Sequence, residues 1–138
     1  MFGKIKFQLF AQMTLGCVFL LSGILKVLSP FSAIQLLEKF LMIGQRYSHA
    51  VIFALSLFEI VIGVMFMIGK ATFFASILSA AFFLGATFVG VFLLSDPVPC
   101  GCFGNFLESK TDEVFLIRSL TFFLLSFFVL RNSTETKS

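Results

Sequence analysis

"HAVIFALSLFEIVIGVMFMIG", residues 49–69, runs for 21 residues with a single ionised side chain, Glu59. About 20 apolar residues in helical form cross the hydrocarbon of a bilayer, so this stretch reads as a transmembrane helix. Three further stretches of the same kind flank it: Phe7–Leu28 before it, then Ala71–Leu94 and Val114–Leu130 after it. The last is slightly short, which tilt or local thinning of the bilayer accommodates. None of the four alternates polar and apolar residues as barrel strands do, and lipid admits only helices or closed barrels. The expected fold is an all-α membrane protein: a four-helix transmembrane bundle forming one domain over residues 1–138.

Composition points the same way. Of the 138 residues 59 % are hydrophobic and 12 % charged, more apolar surface than a water-soluble domain of this size can hide. The net charge of +3 is spread over scattered Lys and Arg, which gives nucleic acid no basic patch and leaves membrane lipid as the surrounding partner. The start "MFGKIKFQLFAQMTLGCVFLLSG" has the basic opening and apolar run of a secretory signal, with Cys17 after Gly16 faintly like a lipoprotein cleavage site. Thr14 and Leu15 suit such a site poorly and the apolar run continues through Leu28, so a retained first span is expected.

The gaps between spans orient the chain. Lys4, Lys6, Lys70, Arg131 and Lys137 fall on one side, against Lys39, Arg46 and Lys110 on the other, where acids are more numerous. The positive-inside rule then puts both termini in the cytoplasm and residues 95–113 outside, in the oxidising periplasm of a bacterium. The expected localisation is the bacterial inner membrane. In the first outer gap, Ser29 and Pro30 read as a helix start and Gly44 as its stop. Ser32, Gln35, Lys39 and Arg46 fall roughly on one face, with Ile34, Leu37 and Leu41 on another, which predicts a short amphipathic helix on the outer surface. Tyr47 is the one aromatic anchor candidate at that boundary, the 22 Phe residues read mainly as lipid-facing, and Gly16, Gly23, Ser76, Ala80 and Gly90 as close approaches between helices.

The chemistry concentrates in "PVPCGCFGN", residues 97–105. Cys100 and Cys102 lie outside the spans, and Gly101 between them, lacking a Cβ, can turn both sulfurs to one side. A disulfide closing so small a ring is strained, and strained disulfides exchange readily. Pro97 and Pro99 stiffen the approach. Three readings compete. A structural staple closes almost no chain and gains little entropy. A copper or zinc site needs further ligands, and the only histidine, His49, lies across the first outer gap. Thiol–disulfide exchange meets neither objection. The third cysteine, Cys17, sits about 15 Å deep by helix rise, where a thiol is ordinarily an inert packing group. With one pair and one buried single, a redox circuit here calls for a partner.

Charged residues inside spans are functional hypotheses by default. Glu59 lies near the middle of the second span, Lys26 one turn inside the outer end of the first and Arg118 about one turn inside the fourth. Glu59 is deeper than either base by roughly 5–9 Å of helix rise, so the long basic side chains must reach inward to pair with it. Ser22 shares a helix face with Lys26, as Ser56 and Gly63 do with Glu59, which makes a polar seam beneath the cysteine segment. The seam reads either as a buried ion pair that fixes helix register, or as a device in which Lys26 or Arg118 favours a cysteine thiolate while Glu59 serves as counter-ion or proton acceptor.

These residues resemble the methylamine-utilisation MauE family, within the wider DoxX-like group of small four-helix membrane proteins. The resemblance rests on "SGILKVLSP" (Ser22, Gly23, Lys26, Pro30), "FEIVIG" (Phe58, Glu59, Gly63) and "PCGCFGN", and covers about residues 13–130. It implies a role in maturing disulfide-rich periplasmic proteins with a thioredoxin-like partner, with Cys100 and Cys102 as the exchanging pair and Lys26 and Glu59 as the matched intramembrane polar residues. Family members often carry an acid just before the first Cys; Pro99 stands there in this chain. A membrane quinone is the cofactor to consider as terminal acceptor. The competing class is a subunit of a membrane complex that grips metal or docks a partner with the same loop.

Overall fold

A computed structural model describes residues 2–92, 94–95 and 113–135. Among the described residues there are five α-helices: α1 Phe2–Leu28, α2 Phe31–Leu41, α3 Gln45–Ile68, α4 Thr72–Phe92 and α5 Glu113–Glu135. Among the described residues there is no strand. α1, α3, α4 and α5 are each long and apolar enough to cross a membrane, which makes the chain a multi-pass membrane protein. Large apolar side chains stand exposed on all four, among them Phe10, Phe53, Phe74 and Phe127. In water that surface would be untenable; hydrocarbon satisfies it.

The spanning helices form two antiparallel pairs, α1 with α3 and α4 with α5. In the first pair the backbones nearly touch. A Cβ added to Gly23 would come within 2.7 Å of Ile60 and 2.9 Å of the Ser56 carbonyl, and one added to Gly63 within 2.7 Å of the Leu20 side chain. Small residues at these points let two helices approach without a hydrophobic drive between them. The Gln12 amide donates to the Phe66 carbonyl at 2.6 Å and ties the far end of the same pair. In the second pair Ser79 donates to Ser126 at 2.8 Å, the Ser133 and Thr72 hydroxyl oxygens lie 3.5 Å apart, and Gly90 lies against the Phe115 ring.

One phenylalanine from each spanning helix joins the pairs. Phe19 lies 6.4 Å from Phe66 and 5.2 Å from Phe83, which in turn stacks at 5.3 Å on Phe122. The expectation of a mainly lipid-facing role for Phe is therefore incomplete, because its rings also build the core. Gly16, Gly23, Ser76 and Gly90 are buried as expected, whereas Ala80 is only half-buried.

α2 bears out the short helix between the first two spans but corrects its details. The Ser29 amide donates to the Leu25 carbonyl, extending the α1 ladder, and α2 opens after Pro30 with no side-chain cap. Its C-cap is Met42, at φ 52°, rather than Gly44, which is extended and opens α3 instead. With two residues left between Met42 and α3, the left-handed turn has to come before Gly44. Ser32 is buried together with Ala33 and Ile34, and Leu41 is exposed, since α2 docks on α3 by its first turns, against Ile52, rather than along a full stripe. At the opposite end of the bundle, Gly69 at φ 72° caps α3 and the chain turns directly into α4.

Candidate functional site

The register of α1 against α3 builds the site. Gly23 faces Ser56 and Ile60 while Gly63 faces Leu20, which sets Lys26 level with Ser56 and Glu59 three residues further along α3. That stagger is about 4.5 Å, just under the range expected from helix rise alone. Side chains on a helix tilt toward its N-terminus. On antiparallel helices Lys26 therefore leans toward Glu59 and Glu59 toward Lys26, and the two close into an ion pair. Ser22, one turn before Lys26, donates to the second carboxylate oxygen of Glu59 at 3.1 Å.

The pair is deeply enclosed: Lys26 is 3 % exposed and Glu59 not at all. The ammonium also lies 5.6 Å from the centroid of the Phe82 ring, which adds a cation–π contact in a dry setting. Arg118 of α5 lies with its guanidinium 5.7 Å from the Phe115 ring centroid. It lines a cavity of about 60 Å³ with Ser22, Glu59, Phe82, Phe115 and Ser119. The structure thus brings Ser22, Lys26, Glu59 and Arg118 to one place, contributed by three helices.

One member of the expected seam parts from it, and Cys17, read as a buried single, does not lie inside the bundle. The Ser56 hydroxyl donates to the Ile52 carbonyl at 2.7 Å and spends itself on its own helix. Cys17 is exposed on a face of α1 that the buried set, Ala11 through Lys26, does not include. Cys100, Gly101 and Cys102 lie outside the described residues. Their flanks do not: α4 ends and α5 begins at the end of the bundle that carries α2 and Lys26.

Sequence reading missed Phe82, Phe115 and Ser119. A signal for the last two was present. Phe115, Ser119, Phe122, Ser126, Val129 and Ser133 recur at alternating steps of four and three, the seam of a helix packed on one partner. All are at least partly buried.

A family model described as methylamine utilisation protein MauE matches residues 4–131, nearly the whole chain. No curated protein and no solved structure matches it.

Proposed function

The chain belongs to the MauE family, and on that premise we propose that it is an inner-membrane thiol–disulfide exchange protein serving the redox maturation of periplasmic proteins through Cys100 and Cys102. The observation that carries the reading is the enclosed Lys26–Glu59 pair with Arg118 one cavity away, at the end of the bundle where α4 leads into the cysteine-bearing segment. A bare ion pair suffices to hold two helices in register. A second base, Arg118, stands beside that pair, and a neighbouring base is the setting in which a cysteine ionises more readily.

The exchange balances without a further reactant. A thiolate of the Cys100–Cys102 pair attacks one sulfur of a partner disulfide, the partner S–S bond breaks, and the leaving sulfur takes up a proton. The second cysteine then attacks the mixed disulfide, releasing the partner as a dithiol and leaving Cys100–Cys102 oxidised; the reverse sequence oxidises the partner. A thioredoxin-like protein is the partner chemistry that suits this, and disulfide-rich periplasmic proteins are the substrate class. Methylamine utilisation is the setting in the family's description, and for this chain it stays part of the proposal.

The test is trapping. Cys102→Ser and Cys100→Ser, made separately in a Cys17→Ser background, should each be examined in intact cells with a membrane-impermeant maleimide. The expected result is a reducible adduct to a second protein in one single variant, and labelling of the wild-type pair only after reduction. Stoichiometric copper or zinc on the purified chain, lost in either variant and with no adduct, would overturn the reading in favour of metal handling.

A further inference from the structure

A cleft of about 360 Å³ opens between the two helix pairs at the α2 end, within the size range of small-molecule sites. Its walls are apolar and come from all five helices, with one charged group among them, Lys26. On one side it shares Phe82, Ala86 and Phe115 with the inner cavity that holds Glu59 and Arg118. On the other it continues over Ala81 and Gly85 to the exposed face of α4. A path therefore runs from the lipid surface to the buried ion pair.

Lys26 gives that path a polar end. An ammonium has three N–H donors. Glu59 accepts from it, and among the described residues no other hydrogen-bond acceptor meets it, although the side chain is only 4 % exposed. Unspent buried donors facing an apolar cleft call for an acceptor from a ligand. Because the Lys26 charge is already matched by Glu59, a neutral acceptor fits better than an anion, whose charge would be buried without a counter-ion. Phe82 and Phe115 in the cleft wall suit a flat ring. The opening at Gly85, where an added Cβ would meet nothing within 4 Å, leaves room for a tail to pass into the bilayer.

We propose that this cleft binds the head of a lipid-soluble quinone, one ring carbonyl accepting from Lys26, the ring between Phe82 and Phe115, and the isoprenoid tail leaving over Ala81 and Gly85. Binding stands on the cleft alone. What the quinone does there rests on the exchange reading: the two thiols lose two electrons and two protons as the S–S bond forms, and the ring takes up both to become a quinol.

The experiment is photolabelling of the full chain in phosphatidylethanolamine–phosphatidylglycerol nanodiscs with an azido-quinone, mapped by mass spectrometry. Labelling should fall on residues 81–89 or Phe115 and be competed by decylubiquinone. Gly85→Phe and Ala81→Phe, which obstruct the opening from the lipid side, should each cut the competed label roughly tenfold, about 1.4 kcal/mol. Thermal melting of both variants should stay at the wild-type value. Label scattered over lipid-facing helices, label undiminished in both variants, or competition by added phosphatidylglycerol rather than by decylubiquinone would each overturn the proposal. Since the readout is occupancy by the ring and not thiol state, a missing mixed disulfide sinks the exchange reading and leaves this one standing.

Discussion

The two helix pairs solve the same problem by different means. Between α1 and α3 the backbones close on glycines, and a charged pair with a serine donor is sealed at one end. Between α4 and α5 the contact is a row of hydroxyls and rings, Thr72–Ser133, Ser79–Ser126 and Gly90–Phe115. Small side chains and neutral hydrogen bonds are sufficient to associate helices in lipid, as the second pair demonstrates. The ion pair of the first is thus more than association demands, and an ionisable group kept at that depth is a functional-site hypothesis.

The largest expected effect breaks the charged pair from one side. Glu59→Ala leaves the Lys26 ammonium enclosed without its partner and should lower stability by roughly 3–5 kcal/mol. Unfolding in mixed micelles measures it. Lys26→Met with Glu59→Leu removes both charges and should recover most of that loss. If the double variant also retains exchange with a partner, the pair serves register only. Next come the glycines: Gly63→Val drives a branched side chain into Leu20 and should cost about 1–3 kcal/mol, with the α1–α3 contact failing first in hydrogen exchange.

Effects in the other pair should be smaller. Ser126→Ala removes one neutral hydrogen bond, for which about 0.6 kcal/mol is the usual intramembrane value. Ser76→Ala should be neutral or slightly stabilising by a few tenths of a kcal/mol, because the buried Ser76 hydroxyl has no partner among the described residues. A loss at Ser76 as large as at Ser126 would show that the hydroxyl row is not what holds α4 to α5.

Much of this was legible in the sequence because lipid removes choices. A long apolar run has one admissible form, so four spans and their order follow from hydropathy alone. Their ends do not. α1 begins at Phe2 and α3 at Gln45, several residues before the apolar runs, since a helix continues into water wherever its polar residues permit it. The left-handed turns at Met42 and Ala71 were not foreseeable either, because neither side chain favours φ above zero. Within the site, Lys26, Glu59 and Arg118 stood out as charges in apolar runs. Phe82 did not, since one ring among 22 carries no mark until the helices are placed. The cysteine segment shows the converse: its spacing marks it as the place to look for chemistry, and its position relative to the seam is beyond what a pattern of residues contains.

The Lys26–Glu59 contact also bears on how the chain enters the membrane. α1 and α3 are successive spans, joined by the short α2, and each carries one half of the pair. Inserted separately, each span would bring a charge into hydrocarbon, at a cost of a few kcal/mol for Glu59 near the centre of α3 and less for Lys26 near the end of α1. Inserted as a hairpin, the two halves neutralise one another before either meets lipid. Biogenesis would then favour holding α1 at the translocon until α3 emerges, and the same contact that shapes the mature bundle would act as the latch of its first assembly step.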